Sequence, residues 1–210
     1  KQTEEVLRRL TSLQRAILDS ANFSIISTTP DGTIVSFNKG AEQLLQYKAE
    51  EVINKVTPAI LHKPEEVVAY AEHLSKELGF PVAPGFETFI AKARLNIHEE
   101  HEWTYIRKDG STLPILLSIT AIRDEQNRIT GFLGIGKDIT QRKVIEAALQ
   151  SSKDYLKSIF DSSLDMIIAV DNDRNIVEFN HAAQLAFGYL KEEVLGKHIS
   201  VLYSELNEEQ

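Results

Sequence analysis

The chain has 210 residues, of which 42% are hydrophobic and 26% are charged, a composition typical of globular proteins and sufficient for one packed domain and part of another. Its formal net charge of -8 argues against nucleic-acid binding or attachment to a membrane surface, because both need a concentrated positive face. The chain has no cysteine, which excludes disulfides, thiolate nucleophiles and cysteine-ligated metal clusters, and its apolar runs are too short for membrane insertion, so we expect a cytoplasmic location.

Residues 1–20 predict a linker helix through which the protein dimerises. Apolar residues recur in it at spacings of 4, 3 and 4, as in the seam of a coiled coil, at Val6, Leu10, Leu13 and Ile17. Two short strands follow, FSIISTT and TIVSF, and the PDG sequence between them favours a turn. Asn38 is placed to cap a short helix, and longer helical segments begin at Pro64 and near Phe86.

Three further strands are predicted next, in HEWTYIRK, STLPILLSITAIRD and ITGFLGIGK, the first two joined by a turn at Asp109-Gly110. The chain then returns to helix. Apolar residues again recur there at coiled-coil spacing, at Ile145, Leu149, Leu156 and Ile159. We interpret these four residues as a second part of the dimer seam.

An internal repeat sets the predicted domain boundaries. The stretch that begins AILDSANFSIISTT aligns without gaps with SIFDSSLDMIIAVD, 142 residues later, and the identities include Asn38 with Asn180. We therefore predict four segments. They are a linker and dimerisation helix at 1–20, a complete domain at 21–139, a signalling linker helix at 140–163 and the amino-terminal half of a second domain at 164–210.

The stretch GFLGIGKDITQRK has the glycine and lysine spacing of a nucleotide-binding phosphate loop. Such a loop needs a serine or threonine hydroxyl for the magnesium ion at the position of Asp138, where a carboxylate would repel phosphate. Phe132, Leu133 and Ile135 also favour a strand. We therefore predict the last strand of a sheet, with Asp138 as the N-cap of the exit helix and Gln141 completing a capping box.

The sequence resembles the PAS sensor family over residues 17–143, and over 159–203 as an amino-terminal half. The resemblance rests on DGTIVSFNKGAEQLLQYKAEEVINK, on RKDGSTLPILLSITAIRDEQNRITGFLGIGKDITQRK, and on the closing Asp138-Ile139-Thr140. It implies an α+β fold, in which helices cover one face of a five-stranded antiparallel sheet of order 2-1-5-4-3 around a small pocket. It also implies a sensory module of a larger bacterial signalling protein such as a sensor histidine kinase, whose dimeric helices carry signals to an output domain.

Strand alternation, combined with this resemblance, gives a candidate pocket. Alternate side chains of a strand share one face, and the resemblance implies that this face borders the pocket. The candidate pocket residues are Ile26, Thr28, Trp103, Tyr105, Ile115, Leu117, Ile119, Phe132, Gly134 and Gly136. Two glycines there leave space for a ligand or for a neighbouring ring, and the hydroxyls of Thr28 and Tyr105 and the indole of Trp103 would orient a ligand. The alternative is a closed apolar core that holds no ligand.

The sequence leaves the cofactor unidentified. Some PAS domains hold haem through a histidine on the helix before the third strand; His73 lies on that helix but on the face expected to meet water, and His62 lies at its entrance. His98 and His101 lie in an acidic run that either binds a metal or is solvated, and we predict no metal site. A photoactive flavin adduct in this fold would need a cysteine. A haem, a flavin, another small molecule and no ligand all remain alternatives.

No arrangement of nucleophile and base, or of paired carboxylates, predicts catalysis, so we do not expect this segment to be an enzyme. Two functions remain. The first is a sensory module that dimerises through its helices and passes a change in its pocket to an output domain by way of Asp138, Ile139, Thr140 and Gln141. The second is a ligand-free scaffold for dimerisation and protein interaction.

Overall fold

The computed structural model describes residues 5, 6, 9 and 23–203. The chain divides into two compact units, Lys1–Arg142 and Lys143–Gln210. Val6 is helical and 57% exposed. The other predicted seam residues of the first helix, Leu10, Leu13 and Ile17, lie outside the described residues.

The first unit contains one antiparallel sheet. Its strands are β1 (Ser24–Thr28), β2 (Ile34–Phe37), β3 (Glu100–Ile106), β4 (Thr112–Arg123) and β5 (Ile129–Asp138). The spatial order is β2-β1-β5-β4-β3, so the predicted fold and strand order are confirmed. The last strand in the sequence thus lies in the middle of the sheet, paired with β1 on one side and β4 on the other.

Helices occupy the segment between β2 and β3. They are α1 (Lys39–Leu45), α2 (Ala49–Val52), a 3-10 turn (Pro58–Leu61), α3 (Pro64–Leu78) and α4 (Phe86–Arg94). The sequence explains the limits of α3: Pro64 begins the helix, acidic residues occupy its first turn, and Gly79 ends it in the left-handed conformation with φ of 77°. Its buried residues, Val67, Ala71 and Leu74, lie on one face.

The inward face of the sheet carries the core of the first unit. Ile26, Leu117 and Phe132 are buried on neighbouring strands, as expected for side chains that share one face of a pleated sheet. A Cβ added at Gly131 would lie 2.2 Å from the carbonyl oxygen of Thr28. Glycine is therefore required there if β5 is to approach β1 closely.

Both edges of the sheet are covered within the unit. On β2, the backbone of Ile34 bonds with that of Asn54 and Val56 at 2.8 and 3.0 Å. On β3, the Thr104 amide donates to Glu66 Oε2 at 2.9 Å, and Tyr105 forms a β-bridge with His62. These contacts satisfy edge groups that would otherwise invite pairing with another chain.

Asn38 ties the first hairpin to α1. Its side-chain oxygen accepts hydrogen bonds from the amides of Ala41 and Ile25, both at 2.9 Å, and its amide nitrogen donates to the Phe23 carbonyl at 3.0 Å. The predicted N-cap is therefore present. The same side chain also fixes the start of β1, which local helix rules do not specify.

The second unit contains a long helix and a two-stranded sheet. Its elements are α5 (Thr140–Ser162, which begins in the first unit), β6 (Ile168–Val170), β7 (Ile176–Phe179), α6 (His181–Phe187), α7 (Lys191–Val194) and a 3-10 turn (Ile199–Leu202). The internal repeat is visible in its hydrogen bonds. Asn180 accepts from the amides of Ala183 and Ile167 at 3.0 and 2.9 Å and donates to the Asp165 carbonyl at 2.9 Å, so each partner lies 142 residues after the corresponding partner of Asn38.

We expect Asn38→Ala to lower the free energy of unfolding of the first unit by about 3 kcal/mol, because it removes a helix cap and two bonds to the β1 segment. Asn38→Asp, which keeps the accepting oxygens but loses the donor to Phe23, should cost about 1 kcal/mol. Urea unfolding followed by the fluorescence of Trp103, the single tryptophan of the chain, measures both. Equal losses in the two variants would contradict the role assigned to the accepting oxygen.

Candidate functional site

An internal cavity of about 40 Å³ lies between the inward face of the sheet and the helices of the first unit. Seven of the ten predicted pocket residues line it: Ile26, Thr28, Tyr105, Leu117, Ile119, Phe132 and Gly134. The helical side contributes Pro58, His62, Phe86, Phe89 and Ile90. The sheet thus forms one wall of the cavity, with seven of the residues that strand alternation and the family resemblance predicted. The residues of the opposite, helical wall were not predicted.

Three predicted pocket residues do not line this cavity. Ile115 is fully buried in the core. At Gly136, an added Cβ would lie 3.1 Å from Ile115 and 3.5 Å from the ring of Tyr105, so the space next to this glycine is taken by a neighbouring ring. Trp103 lines an adjacent crevice instead, and its ring centroid lies 5.0 Å from that of Phe89 and 5.1 Å from that of His62.

His62 is the polar residue of the helical wall, and the sequence analysis considered it only as a haem ligand. It follows the 3-10 turn, and its β-bridge to Tyr105 brings it against β3. Its ring is enclosed by aromatic rings, with centroid distances of 4.1 Å to Phe89, 4.8 Å to Tyr105 and 5.1 Å to Trp103. Only 3% of its surface is exposed.

Among the described residues, two residues of the cavity wall have a buried polar atom without a hydrogen-bond partner: Thr28 at Oγ1 and His62 at Nδ1. Buried polar groups are ordinarily paired, and an unpaired one costs about 1–3 kcal/mol. Ser24 Oγ is also unpaired and buried, but Ser24 does not line the cavity. The cavity therefore brings together two hydrogen-bonding groups that a bound molecule would satisfy.

The cavity wall carries no charge. Burial lowers the pKa of His62 from 6.5 to about 3, so its imidazole is neutral at neutral pH. Burial also raises the pKa of Tyr105, which keeps the phenol protonated. Among residues 23–203, none of those that line the cavity is Asp, Glu, Lys or Arg. The site is consequently apolar, with a few neutral polar groups.

The adjacent crevice, of about 30 Å³, shares Phe89, Leu117 and Ile119 with the cavity. At its mouth, Glu99 accepts hydrogen bonds from the Tyr70 hydroxyl and from Lys92 Nζ, both at 2.7 Å. Burial raises the pKa of Glu99, but these two hydrogen bonds outweigh that effect, so the pKa is lowered overall. The ion pair of Lys92 with Glu99 and the phenol of Tyr70 thus lie together on the wall of the crevice.

The histidines considered as ligands lie elsewhere. His73 is exposed on α3, as predicted, with Nε2 3.6 Å from Glu77. His101 is partly buried and stacks on Tyr70 at 3.9 Å between ring centroids, so the acidic run is not simply solvated. His98 is exposed. Among residues 5, 6, 9 and 23–203, no group of three or more His, Cys, Asp or Glu side chains is placed to hold a metal ion.

Neither haem nor flavin fits this site as it stands. A cavity of about 40 Å³ has room for about three water molecules, far less than a porphyrin or an isoalloxazine ring needs. His62 is the one histidine on the wall, and its ring is already enclosed by Phe89, Tyr105 and Trp103. We therefore derive no chemistry from either cofactor.

The predicted relay segment connects the sheet to α5. Asp138 ends β5 and its carboxylate accepts a hydrogen bond from the Thr140 amide at 2.7 Å. Ile139 is 2% exposed and its amide donates to the Pro114 carbonyl at 3.1 Å. The helix α5 begins at Thr140, where the predicted linker helix begins. The bond from the Thr140 amide to Asp138 is one that an N-cap makes, and the capping box with Gln141 stays a prediction.

Comparison with known families agrees with this geometry. A family model described as "PAS domain" matches residues 22–141, and a second described as "PAS fold" matches residues 154–210. The chain belongs to the PAS domain family. The first match includes the whole sheet and cavity, and the second begins within α5.

Two similar curated proteins have the names of signalling proteins. "Sensor protein FixL" of Bradyrhizobium diazoefficiens is 33% identical over 84 residues, 40% of this chain and 17% of that protein. "Two-component system protein A" of Emericella nidulans is 31% identical over 128 residues, 61% of this chain and 16% of that protein. The chain thus spans less than a fifth of either relative, and it resembles sensory modules of signalling proteins.

Solved structures support the same fold. A PAS domain from Colwellia psychrerythraea is 26% identical, with a TM-score of 0.50, and the match covers 63% of this chain and 98% of that one. An RNA-binding light-oxygen-voltage receptor has a TM-score of 0.51 at 20% identity, covering 69% and 37% of the two chains, which supports the fold alone. Within the described part of the chain, no helix has the length and hydrophobicity to cross a membrane.

The neutral state of His62 predicts a specific pH dependence. Below pH 6.5, His62 becomes protonated in the unfolded chain, whereas in the folded protein it stays neutral until the pH approaches its folded-state pKa of about 3. The contribution of His62 to the free energy of unfolding is therefore complete above pH 6.5 and decreases between pH 6.5 and pH 3. The decrease is about 2 kcal/mol at pH 5. In urea unfolding, we expect the free energy of unfolding to fall less for His62→Phe than for the wild type between pH 7 and pH 5, and the difference should be about 2 kcal/mol.

His98→Phe is the matched control, because His98 is exposed and its replacement should leave the difference between pH 7 and pH 5 as in the wild type. The carboxylates common to all three proteins contribute equally and cancel in the comparison. If His62→Phe and the wild type lose the same free energy on acidification, His62 is not a buried neutral residue.

Proposed function

We propose that this chain is a sensory PAS module that binds a small molecule in the inner cavity and relays the change through α5 to an output domain. One observation carries the proposal: Thr28 Oγ1 and His62 Nδ1 have no hydrogen-bond partner among the described residues, and both residues line the same cavity. Each such group costs folding free energy unless a bound molecule or an ordered water bonds it. A ligand that bonds them would recover that cost on binding.

The route for the signal follows β5. Gly134 lines the cavity and is paired with Ile26 on β1 and Ile119 on β4. The same strand ends at Asp138, whose carboxylate bonds the first helical amide of α5 at Thr140. A ligand that shifts β5 against its neighbours would therefore shift the base of the helix.

The apolar stripe of α5 supports dimerisation through a second copy of this chain. The stripe consists of Ile145, Leu149, Leu156 and Ile159, which are 48 to 62% exposed. Their coiled-coil spacing places them on one side of the helix, where a parallel copy would bury them. The homodimer, the output domain in the parent protein and a cytoplasmic location are parts of this proposal.

The alternative is a ligand-free scaffold that dimerises and binds other proteins. The small volume of the cavity favours it, since three ordered waters would also satisfy the two polar atoms. Both functions are non-catalytic, and both use the helix stripe. They differ only in whether the cavity holds a molecule other than water.

Mass spectrometry and an absorption spectrum of the freshly purified protein separate the two functions. The sensory function predicts a small molecule that co-purifies and is released on denaturation, or saturable binding of an added one, and in either case His62→Phe should bind it more weakly. An apo protein whose cavity stays closed to every added small molecule would overturn the sensory function and leave the scaffold.

For the dimer, we expect Leu149→Lys with Leu156→Lys to convert the protein to a monomer in sedimentation velocity, because four like charges would then face each other across the seam. Ala147→Lys with Ser151→Lys adds the same charge to the outer side of the helix and should leave the dimer intact. A dimer that survives the first pair of substitutions would exclude this stripe as the interface.

A further inference from the structure

The charge and polarity of the cavity restrict the chemistry of its ligand, and this inference rests on the proposed sensory function. The part of the wall that the described residues form contains no charged side chain, and His62 is neutral because burial lowers its pKa to about 3. The guanidinium of Arg94 lies 5.4 Å from the centroid of the Phe132 ring, but Arg94 is already paired with Glu87 at 3.2 Å and does not line the cavity. An ionic ligand would therefore be buried without a counter-charge, at high cost.

The two unpaired atoms require a polar ligand. The hydroxyl of Thr28 can donate or accept a hydrogen bond, and Nδ1 of a neutral His62 donates or accepts according to its tautomer. A hydrocarbon would leave both groups unsatisfied. A molecule that carries both a donor and an acceptor can satisfy either group in either state.

The volume of the cavity limits the size of the ligand. About 40 Å³ corresponds to about three water molecules, or an organic molecule of about four non-hydrogen atoms. Phe89 lines both this space and the adjacent crevice, so a larger ligand that extends into the crevice would have to pass this packed ring. The other shared wall residues, Leu117 and Ile119, belong to the sheet and are held by strand pairing.

We propose that the inner cavity selects a small uncharged molecule with both a hydrogen-bond donor and an acceptor, such as a short primary amide, and that Thr28 and His62 are its anchors. The apolar walls bind its carbon atoms. The two anchors fix its orientation and reject ions of the same shape.

Four molecules of nearly identical planar shape test this directly: acetamide, acetone, acetate and acetamidinium. Each is titrated into the full chain while the amide signals of Thr28 and Gly134 are followed by NMR, with Trp103 fluorescence as a second readout, since this ring lies 5.1 Å from His62. We expect saturable shifts with acetamide, with a dissociation constant on the order of millimolar for so small a ligand. Acetone, which only accepts, should bind several-fold more weakly. Acetate and acetamidinium should bind at least tenfold more weakly than acetamide.

Thr28→Val and His62→Phe should each weaken acetamide binding by about tenfold, because each removes one hydrogen bond. Valine keeps the shape of threonine, whereas phenylalanine puts a larger aromatic ring in place of the imidazole, so Thr28→Val is the sharper of the two tests. Valine is compatible with this place in the hairpin, since Val170 occupies the equivalent position of the repeat. Ser24→Ala is the matched control: it also removes an unpaired buried hydroxyl, but outside the cavity. Ser24→Ala and Thr28→Val should both raise the melting temperature of the unliganded protein, while only Thr28→Val weakens binding.

Each outcome separates this inference from the proposed function. An ion that binds as tightly as acetamide overturns the selection for uncharged molecules, and unchanged acetamide binding in Thr28→Val and His62→Phe overturns the anchors. A larger or charged molecule that co-purifies in the cavity also overturns the inference, yet leaves the sensory function standing. If no probe shifts the cavity amides and nothing co-purifies, the sensory function itself fails.

Discussion

The pairing of β5 between β1 and β4 is the constraint on which the rest of the first unit depends. The last strand in the sequence is central in the sheet, so the fold closes only when residues more than 100 positions apart meet, as Ser24 and Gly136 do. Close approach to β1 demands glycine at 131. The absence of a side chain at Gly134 leaves open space on the inward face. The same strand leads without interruption to the start of α5, so the sheet, the cavity and the exit helix share one element.

The polar atoms of the cavity wall lower the stability of the unliganded protein. Thr28 and His62 bury polar atoms that the protein itself does not satisfy, and neutral isosteres at these positions would make the unliganded core more stable. Rings surround His62 closely enough to suppress its charge but not to bond its Nδ1. Such an arrangement is consistent with a site prepared for a neutral polar ligand, and it explains why neither ions nor large cofactors suit it.

The internal repeat shows which parts of the unit belong to the scaffold. Asn38 and Asn180 make the same three kinds of bond at positions 142 residues apart, so the hairpin and its capped helix are preserved in both copies. Thr28, in contrast, corresponds to Val170. The backbone geometry is thus repeated, whereas the hydrogen-bonding chemistry proposed for the first cavity is not.

The sequence by itself determined what depends on near neighbours: the strands and helices of residues 23–203, the cap at Asn38 and, through its motifs, the PAS family, whose resemblance implied the face of the sheet that turns inward. It could not determine which rings fill that face. The space beside Gly136 is taken by Tyr105, and Trp103 lines the crevice and not the cavity, because side-chain packing is decided by several strands and helices at once. It also missed His62, whose role depends on a bridge to Tyr105, 43 residues later. Only the tertiary structure brings a turn residue of the helical segment to the wall of the sheet, since that contact is long-range and leaves no local pattern in the sequence.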